Sequence, residues 1–384
     1  MIRMLLVGYL YGIRSETSLC QEVHLNLAYR WFCRLDLEGK VPERSTFSKN
    51  RHGRFADGDV MRRVFDLVVG ACADNGLIGG TGSLVDGSTV HADANRARKA
   101  APKEVEAIWA TSDSVSQPVQ DYVDRLENSA NPVPGPKHKP PKYLSETDPQ
   151  AAWSLKDGPG RFSYEVNYLA DDKHAIIVDV ESTPARLSQE IVTAKSMLDR
   201  KVAGYDPKTI AADKSYGTRP FLSWLLEREI TPYIPVLDRK AQTFGKFTRD
   251  AFKYDAVKDL YICPQGHKLP LKRIDEDTRV KRYKATRSQC CNCPLKGQCT
   301  DAPSRAAMRL MDEEAHQTVR DLADTEAFQV ARNRRKKVEM VFARLKRWQK
   351  LTHLRLRGLS GAKEEFLLAA TAQNFKRLVN LVPT

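Results

Sequence analysis

The sequence has no apolar run long enough to cross a bilayer. The nearest candidate, Met4 to Ile13, is about half the roughly 20 residues a membrane helix requires. No small-residue cleavage site follows it, and Arg14 and Glu16 arrive at once, which sets aside a secretory leader as well. Leu5, Leu6, Tyr9, Leu10 and Ile13 instead mark one face of an amphipathic helix. A cytoplasmic protein is expected. No fixed-period repeat runs through the chain, which sets aside solenoid architectures. Acids are in short supply: 48 Asp and Glu stand against 62 Lys and Arg, a net charge of +14 over 384 residues. That imbalance makes a polyanion the leading partner class, without saying which one, because ribosomal, RNA-binding and membrane-surface proteins share it. A hydrophobic content of 41% excludes a disordered chain.

Cysteine is sparse outside one segment. Cys20, Cys33 and Cys72 are scattered, whereas Cys263, Cys290, Cys291, Cys293 and Cys299 crowd a single basic stretch. In a large chain from a reducing compartment, such clustering favours metal ligation over disulfides. Cys290 and Cys293 form a C-x2-C pair, with Cys299 after it and Cys263 before it, so four thiolates could hold a tetrahedral structural zinc. Cys291 is the expected bystander, His267 a possible substitute ligand, and free surface thiols the alternative. The segment reads as too polar and lysine-rich to build a core of its own.

The order of elements predicts a mixed α/β fold. Residues 1–78 read as helical, with a capping box of Ser18 and Gln21, a short basic helix over Pro42 to Arg51, and a helix over Asp59 to Asn75. A first part of an α/β core is expected over 79–236, interrupted by a proline-rich loop at 96–150. Within it, Ser83 to Asp86 reads as a strand ending in an acid. Phe162 to Leu169 and His174 to Val180 read as a hairpin, Ser188 to Lys201 as a helix, and Thr209 to Asp213 as a second strand ending in an acid. A helix near Pro220 to Glu229 and a strand over Tyr233 to Val236 follow. A basic cysteine-bearing insertion is expected over 237–303. The chain then returns to helix over 304–384, from about Met311 through Lys350 and again from about Ala362 to Val379.

Strand-terminal acids are ordinarily turn or cap residues. The helix carrying Glu339 changes their weight. Between Ala331 and Arg357 there are eleven Lys or Arg and one acid, Glu339, whereas a solvated helix would intersperse its signs. Val338, Val341, Leu345 and Trp348 form an apolar stripe on that helix, and Arg332, Arg335, Glu339 and Lys346 lie on another face. A solvated helix on which Glu339 merely pairs with Arg335 is the plainer reading.

Three segments carry a resemblance: Leu84-Val85-Asp86-Gly87-Ser88-Thr89, Ala211-Ala212-Asp213-Lys214-Ser215-Tyr216-Gly217, and Arg335-x3-Glu339-x6-Lys346. Together they resemble the acidic motifs of DDE transposases of bacterial insertion sequences, whose catalytic core is ribonuclease H-like and whose last motif is a Tyr-Arg-Glu-Lys signature. Arg332 occupies the tyrosine position, a departure from that pattern. The helical beginning, Met4 to Gly12 and Ser45 to Ser48, is similar to the family's amino-terminal domain. Members usually carry several dozen residues before it, so a shortened start is expected.

The resemblance implies a ribonuclease H-like mixed sheet flanked by helices, with a helical amino-terminal domain and a cysteine-rich insertion. It further implies DNA strand cleavage and strand transfer by Asp86, Asp213 and Glu339 with two Mg²⁺ (or Mn²⁺) ions. Arg335, Lys346, Arg332 and Lys214 would sit on DNA, and a homodimer would act on paired terminal inverted repeats and target DNA. A noncatalytic zinc-stabilised DNA-binding protein and a host nuclease of the same core remain the rival readings.

Overall fold

A computed structural model describes the chain except residues 53–54, 56–58, 102–142, 157, 186–189, 201, 203–204, 237–244, 249–250, 276–279, 311–312 and 383–384. Most of the expected proline-rich loop, including Pro132 to Pro136, lies outside the described residues. The chain divides into two units: residues 1–211 with 332–384, and residues 212–331. The fold is mixed α/β.

The first unit opens with helices α1 (Ile2–Tyr11), α2 (Glu16–Leu25), α3 (Leu27–Cys33), α4 (Arg44–His52) and α5 (Val60–Asp74). α1 stops at Gly12, whose φ of 69° closes the helix. A Cβ there would meet the Trp348 carbonyl oxygen at 2.6 Å, so only glycine fits. The cap of α2 is Ser15, whose side chain accepts from the Ser18 N–H, and not the expected Ser18 with Gln21. Both serines precede a helical run, and periodicity alone does not choose between them.

Met61, Phe65, Val69 and Cys72 line one face of α5, which packs with α1 along the closing helix α12 (Gly358–Leu381). α12 buries Phe366, Leu367, Leu368, Ala369, Ala370 and Ala372, nearly its whole circumference, because helices cover one flank and the sheet another. Glu365 of α12 accepts from the Tyr9 hydroxyl, from Arg14, and from the Arg355 and Leu356 N–H groups, satisfying a carboxylate that is 2% exposed.

The sheet of this unit is built on β5 (Arg161–Asp171). It pairs antiparallel with β1 (Gly82–His91) on one side, and with β6 (Ile177–Pro184) and the short β4 (Ala152–Ser154) on the other. β7 (Thr209–Ala211) lies parallel to β1, with Leu84 opposite Ala211. A two-stranded ribbon, β2 (Lys99–Ala100) with β3 (Leu144–Ser145), stands apart. The β5–β6 turn is set by the Asp171 carboxylate, which accepts from the Lys173 and His174 N–H groups, so β6 begins at Ile177 and not at the expected His174. Asp179 of β6 is fully buried and pairs with Arg62 of α5 at 2.6 Å and with Arg200, just after helix α6 (Glu190–Asp199), at 2.8 Å. Burial pushes its pKa up, and the two arginines pull against that shift.

The second unit contains α7 (Arg219–Leu226), β8 (Thr231–Tyr233) and α10 (Glu313–Ala323), packed through Phe221, Leu222, Leu225 and Val319. It also holds an antiparallel sheet in the order β13 (Ala306–Leu310), β12 (Val280–Lys284), β11 (Lys268–Asp275), β10 (Leu260–Ile262), β9 (Lys253–Asp255). Two short helices, α8 (Arg287–Cys291) and α9 (Lys296–Cys299), lie between β12 and β13.

Contrary to expectation, this basic segment has its own core of Phe252, Tyr261, Leu269, Tyr283, Ala285 and Ala307. Strand alternation turns Lys272, Arg282 and Lys284 outward while Leu269 and Tyr283 point in. The expected helix from Met311 to Lys350 is broken. α11 (Glu326–Trp348) starts afresh where the Thr325 hydroxyl accepts from the Phe328 N–H.

Candidate active site

Asp86 sits in the middle of β1, not at a strand end as its following glycine suggested. β1 runs on because Gly87 leaves room for Asn167 on β5: a Cβ at Gly87 would lie 3.0 Å from the Asn167 Oδ1. Opposite Asp86 stands Tyr168, on the same face of the sheet. Phe342 of α11 stacks on the Tyr168 ring at 5.1 Å, and Val338, Val341 and Leu345 are buried beside it. Trp348, expected in the same stripe, is 67% exposed.

That docking carries Arg335 and Glu339 to Asp86. Arg335 Nη2 lies 2.7 Å from Glu339 Oε1, and its Nη1 lies 3.8 Å from Asp86 Oδ2. The Asp86 Oδ1 also accepts from the Gly87 N–H at 2.9 Å. Two carboxylates from elements distant in sequence therefore share one guanidinium, and the Glu339–Arg335 pair is more than the local helix pairing of the plainer reading.

Asp213 belongs to the second unit. Its Oδ1 accepts from the Ser215 N–H at 2.8 Å and from the Ser215 hydroxyl at 2.5 Å, capping a single 3-10 turn over Lys214–Tyr216. Lys214 on that turn is exposed. In the first unit Arg332 is exposed and Lys346 half-buried, and neither has an ion-pair partner among the described residues.

Two cations of the same helix serve the fold instead. Arg334 pairs with Asp172 at 2.6 Å, and Lys337 Nζ donates to the carbonyls of Asp172 and Lys173 at 2.8 and 2.9 Å, clamping the β5–β6 turn. Adjacent aspartates in a hairpin turn, Asp171 and Asp172, were the sequence signal for such a clamp.

In the second unit, Cys263, Cys290 and Cys299 pack against the aromatic core of the insertion, and Cys291 is exposed. Burial raises the Cys299 thiol. Arg305 lowers it, and the nearby Cys290, Cys263 and Cys293 raise it further. The Arg305 N–H donates to the Cys290 sulfur at 3.4 Å, and the Gly266 N–H to the Cys263 carbonyl at 2.8 Å. Among the described residues no three His, Cys, Asp or Glu side chains are arranged to hold a metal ion. No helix among them is long and apolar enough to cross a membrane.

Two segments of the chain match transposase family models, and no curated protein matches. Residues 1–53 match a transposase domain of otherwise undescribed function, and residues 262–379, which include Arg335, Glu339 and Lys346, match the transposase DDE domain. Asp86 and Asp213 fall outside both segments. Both matches are to transposase families, one at the start of the chain and one, the DDE domain, in its last third. Among solved structures, a piggyBac transposase synaptic complex with hairpin DNA is similar at 10% identity and a TM-score of 0.37, over 99% of this chain and 64% of that one. The chain thus spans under two thirds of that protein's length, and so remote a likeness assigns nothing further.

Proposed function

We propose that the chain cuts and rejoins the DNA of an insertion element, with Asp86, Asp213 and Glu339 holding two divalent cations, Mg²⁺ or Mn²⁺. The observation that carries this reading is the meeting of Asp86 and Glu339 on Arg335: a cation already stands between two carboxylates drawn from a central strand and a docked helix. Hard oxygen donors of this kind suit Mg²⁺. The order β6-β5-β1-β7, in which β5 alone runs antiparallel to the other three, supports a ribonuclease H-like core. Asp213 follows β7 by two residues, as Asp86 follows the paired Leu84 by two, which supports it as the third ligand.

When bound, the cations supply charge stabilisation at the attacking and leaving oxygens of phosphoryl transfer. Arg335, once exchanged from the carboxylates, binds the scissile phosphate. Arg332 and Lys346 hold flanking phosphates on the same helix, and Lys214 does so from the turn after Asp213. The freed 3′-hydroxyl then attacks target DNA. Cys263, Cys290, Cys293 and Cys299 would hold a structural zinc, which would supply order to the polar insertion. A homodimer engages paired terminal inverted repeats, in the cytoplasm.

The test is metal-dependent nicking and strand transfer on DNA bearing the element's ends. Asp86→Ala, Asp213→Ala and Glu339→Ala should each abolish both steps while thermal melting stays near that of the parent. Cleavage retained by any one of the three removes that residue from the site.

A further inference from the structure

At the far end of β1 from its pairing with β7, a small cavity of about 210 Å³ opens between β1, β5 and the segment joining α11 to α12. Its polar lining is cationic or protonatable throughout: His91, Arg96, Arg161 and His353, with Phe162 as an apolar wall. Among the described residues no carboxylate lines it. The nearest acid in sequence, Asp93, is occupied by Arg357 at 3.1 Å. Arg96, Arg161 and His353 have no ion-pair partner among the described residues, so two arginines and a protonatable imidazole converge on one cavity. That convergence of positive charge attracts an anion.

The walls are fixed by the backbone. The His91 N–H donates to the Thr352 carbonyl at 3.1 Å, the Leu354 N–H to the His91 carbonyl at 2.7 Å, and the Ala92 N–H to the Phe162 carbonyl at 2.9 Å. His91 Nδ1 also lies 3.4 Å from the Ser163 hydroxyl. Behind the cavity, Phe162 packs edge-on against Trp153, and Trp153 against Tyr143, each at 5.1 Å. Lys99 caps the Tyr143 and Trp153 rings at 4.5 and 4.7 Å. Cations interleaved with aromatic rings are the composition of a surface that tracks a nucleic-acid backbone.

The cavity is several times the ~30 Å³ of one water, room for a phosphate group and its hydration. Planar guanidinium forks match phosphate oxygens in pairs. We propose that this cavity is a subsite for one backbone phosphate of the DNA, gripped by Arg96 and Arg161 and completed by His91 and His353. The proposal rests on the transposase reading for its ligand. It adds a contact away from Asp86 that neither family match covers at Arg96 or Arg161.

The experiment is fluorescence anisotropy of a labelled DNA duplex with the full chain, without divalent metal, across a series of KCl concentrations. Each phosphate contact contributes about 0.9 to the slope of log affinity against log salt. The Arg96→Ala/Arg161→Ala pair should lower the slope by about that amount and weaken binding roughly fivefold to tenfold near 0.1 M salt. The Arg96→Lys/Arg161→Lys pair, which keeps the charge, should restore most of the slope. Because both arginines are exposed, unchanged melting of both variants verifies the fold.

An alanine pair that binds with the parent's slope and affinity overturns the subsite. Inorganic phosphate raising the melting temperature of the parent but not of the alanine pair, with DNA binding unaltered, overturns the DNA assignment in favour of a free phosphate. A parent that does not bind duplex DNA at all sinks the transposase reading instead. These three failures are distinguishable because no cleavage step is read.

Discussion

Arg335 and Asp86 face each other at 3.8 Å, Nη1 to Oδ2, while the other arm of the same guanidinium lies 2.7 Å from Glu339. The Arg335 side chain is 27% exposed, that of Asp86 18% and that of Glu339 49%, so the contact is open to solvent and its worth to stability is small. Its use is electrostatic: two carboxylates are kept in one place without repelling each other.

Arg335→Ala should therefore lower DNA nicking by roughly a hundredfold, the scale of losing one preorganised charge at developing oxygens. Melting should move by no more than about 1 kcal/mol. Arg335→Lys should recover part of the rate, because it keeps the charge and loses the fork. Nicking assays beside thermal denaturation check this, and an alanine variant cutting at the parental rate would remove Arg335 from the chemistry.

The stack of Tyr168 on Phe342 positions Glu339. Phe342→Ala should cost roughly 3 kcal/mol, through lost burial and the cavity left behind, and should reduce nicking beyond what lost stability explains. Tyr168→Phe should do neither. The Tyr168 hydroxyl is buried with no hydrogen-bond partner among the described residues, and burial raises its pKa so that it stays neutral. Deleting that hydroxyl leaves no partner unpaired, so stability should hold or rise by up to about 1 kcal/mol. Denaturant melts of the two variants decide it, and a large loss in Tyr168→Phe would reveal a partner for the hydroxyl.

Local pattern reached some of these features and not others. The apolar spacing of Met61, Phe65, Val69 and Cys72 was legible because one helix face meets one neighbour. Asp86 read as a strand end because Gly87 ordinarily interrupts strands, and only the position of Asn167 on β5 reveals why it does not. Trp348 continued the spacing of Leu345, yet α11 reaches the end of the surface it covers before that residue. The polar arc of α11 holds Arg334 and Lys337 beside Arg335, and periodicity cannot say which of them turn to the protein. That depends on Asp172, 162 residues from Arg334 in sequence. The aromatic core of the insertion was hidden by composition, since its tyrosines are diluted among lysines that the strand alternation later separates.

The same core makes a pH prediction. Tyr254 and Tyr283 both donate to Asp259, and these hydroxyls, Tyr254 first and with help from Lys281, hold its pKa down to about 2 from 3.8. A depressed carboxylate contributes stability that is fully present above its unfolded value. That contribution is lost as pH falls through the folded value. Hydrogen exchange of peptides spanning β9 to β12 in the full chain should thus show steady protection down to about pH 4 and erosion toward about pH 2. In Asp259→Asn the protection should be lower at neutral pH and the acid erosion shallower. An unchanged acid profile in that variant would mean that Asp259 does not hold the sheet.

Zinc can be tested at the level of single thiols, because the four proposed ligands and the bystander differ in their surroundings. Cys290 accepts an N–H from Arg305, and Cys263 and Cys299 pack against the insertion core, whereas Cys291, one residue from Cys290, is exposed to solvent. A closed structural site needs about four ligands, and losing one leaves an open and weaker site. Protein purified with zinc supplied should carry about one ion per chain. Cys291→Ser should keep that ion, while Cys293→Ser should lose most of it and loosen hydrogen exchange across α8 and α9. Since metal binding and folding of a small polar segment are coupled, chelation of the parent should reproduce the Cys293→Ser pattern without altering exchange in α12. Elemental analysis paired with hydrogen exchange reads all three arms, and a Cys293→Ser chain as zinc-loaded as the parent would exclude that thiol from the site.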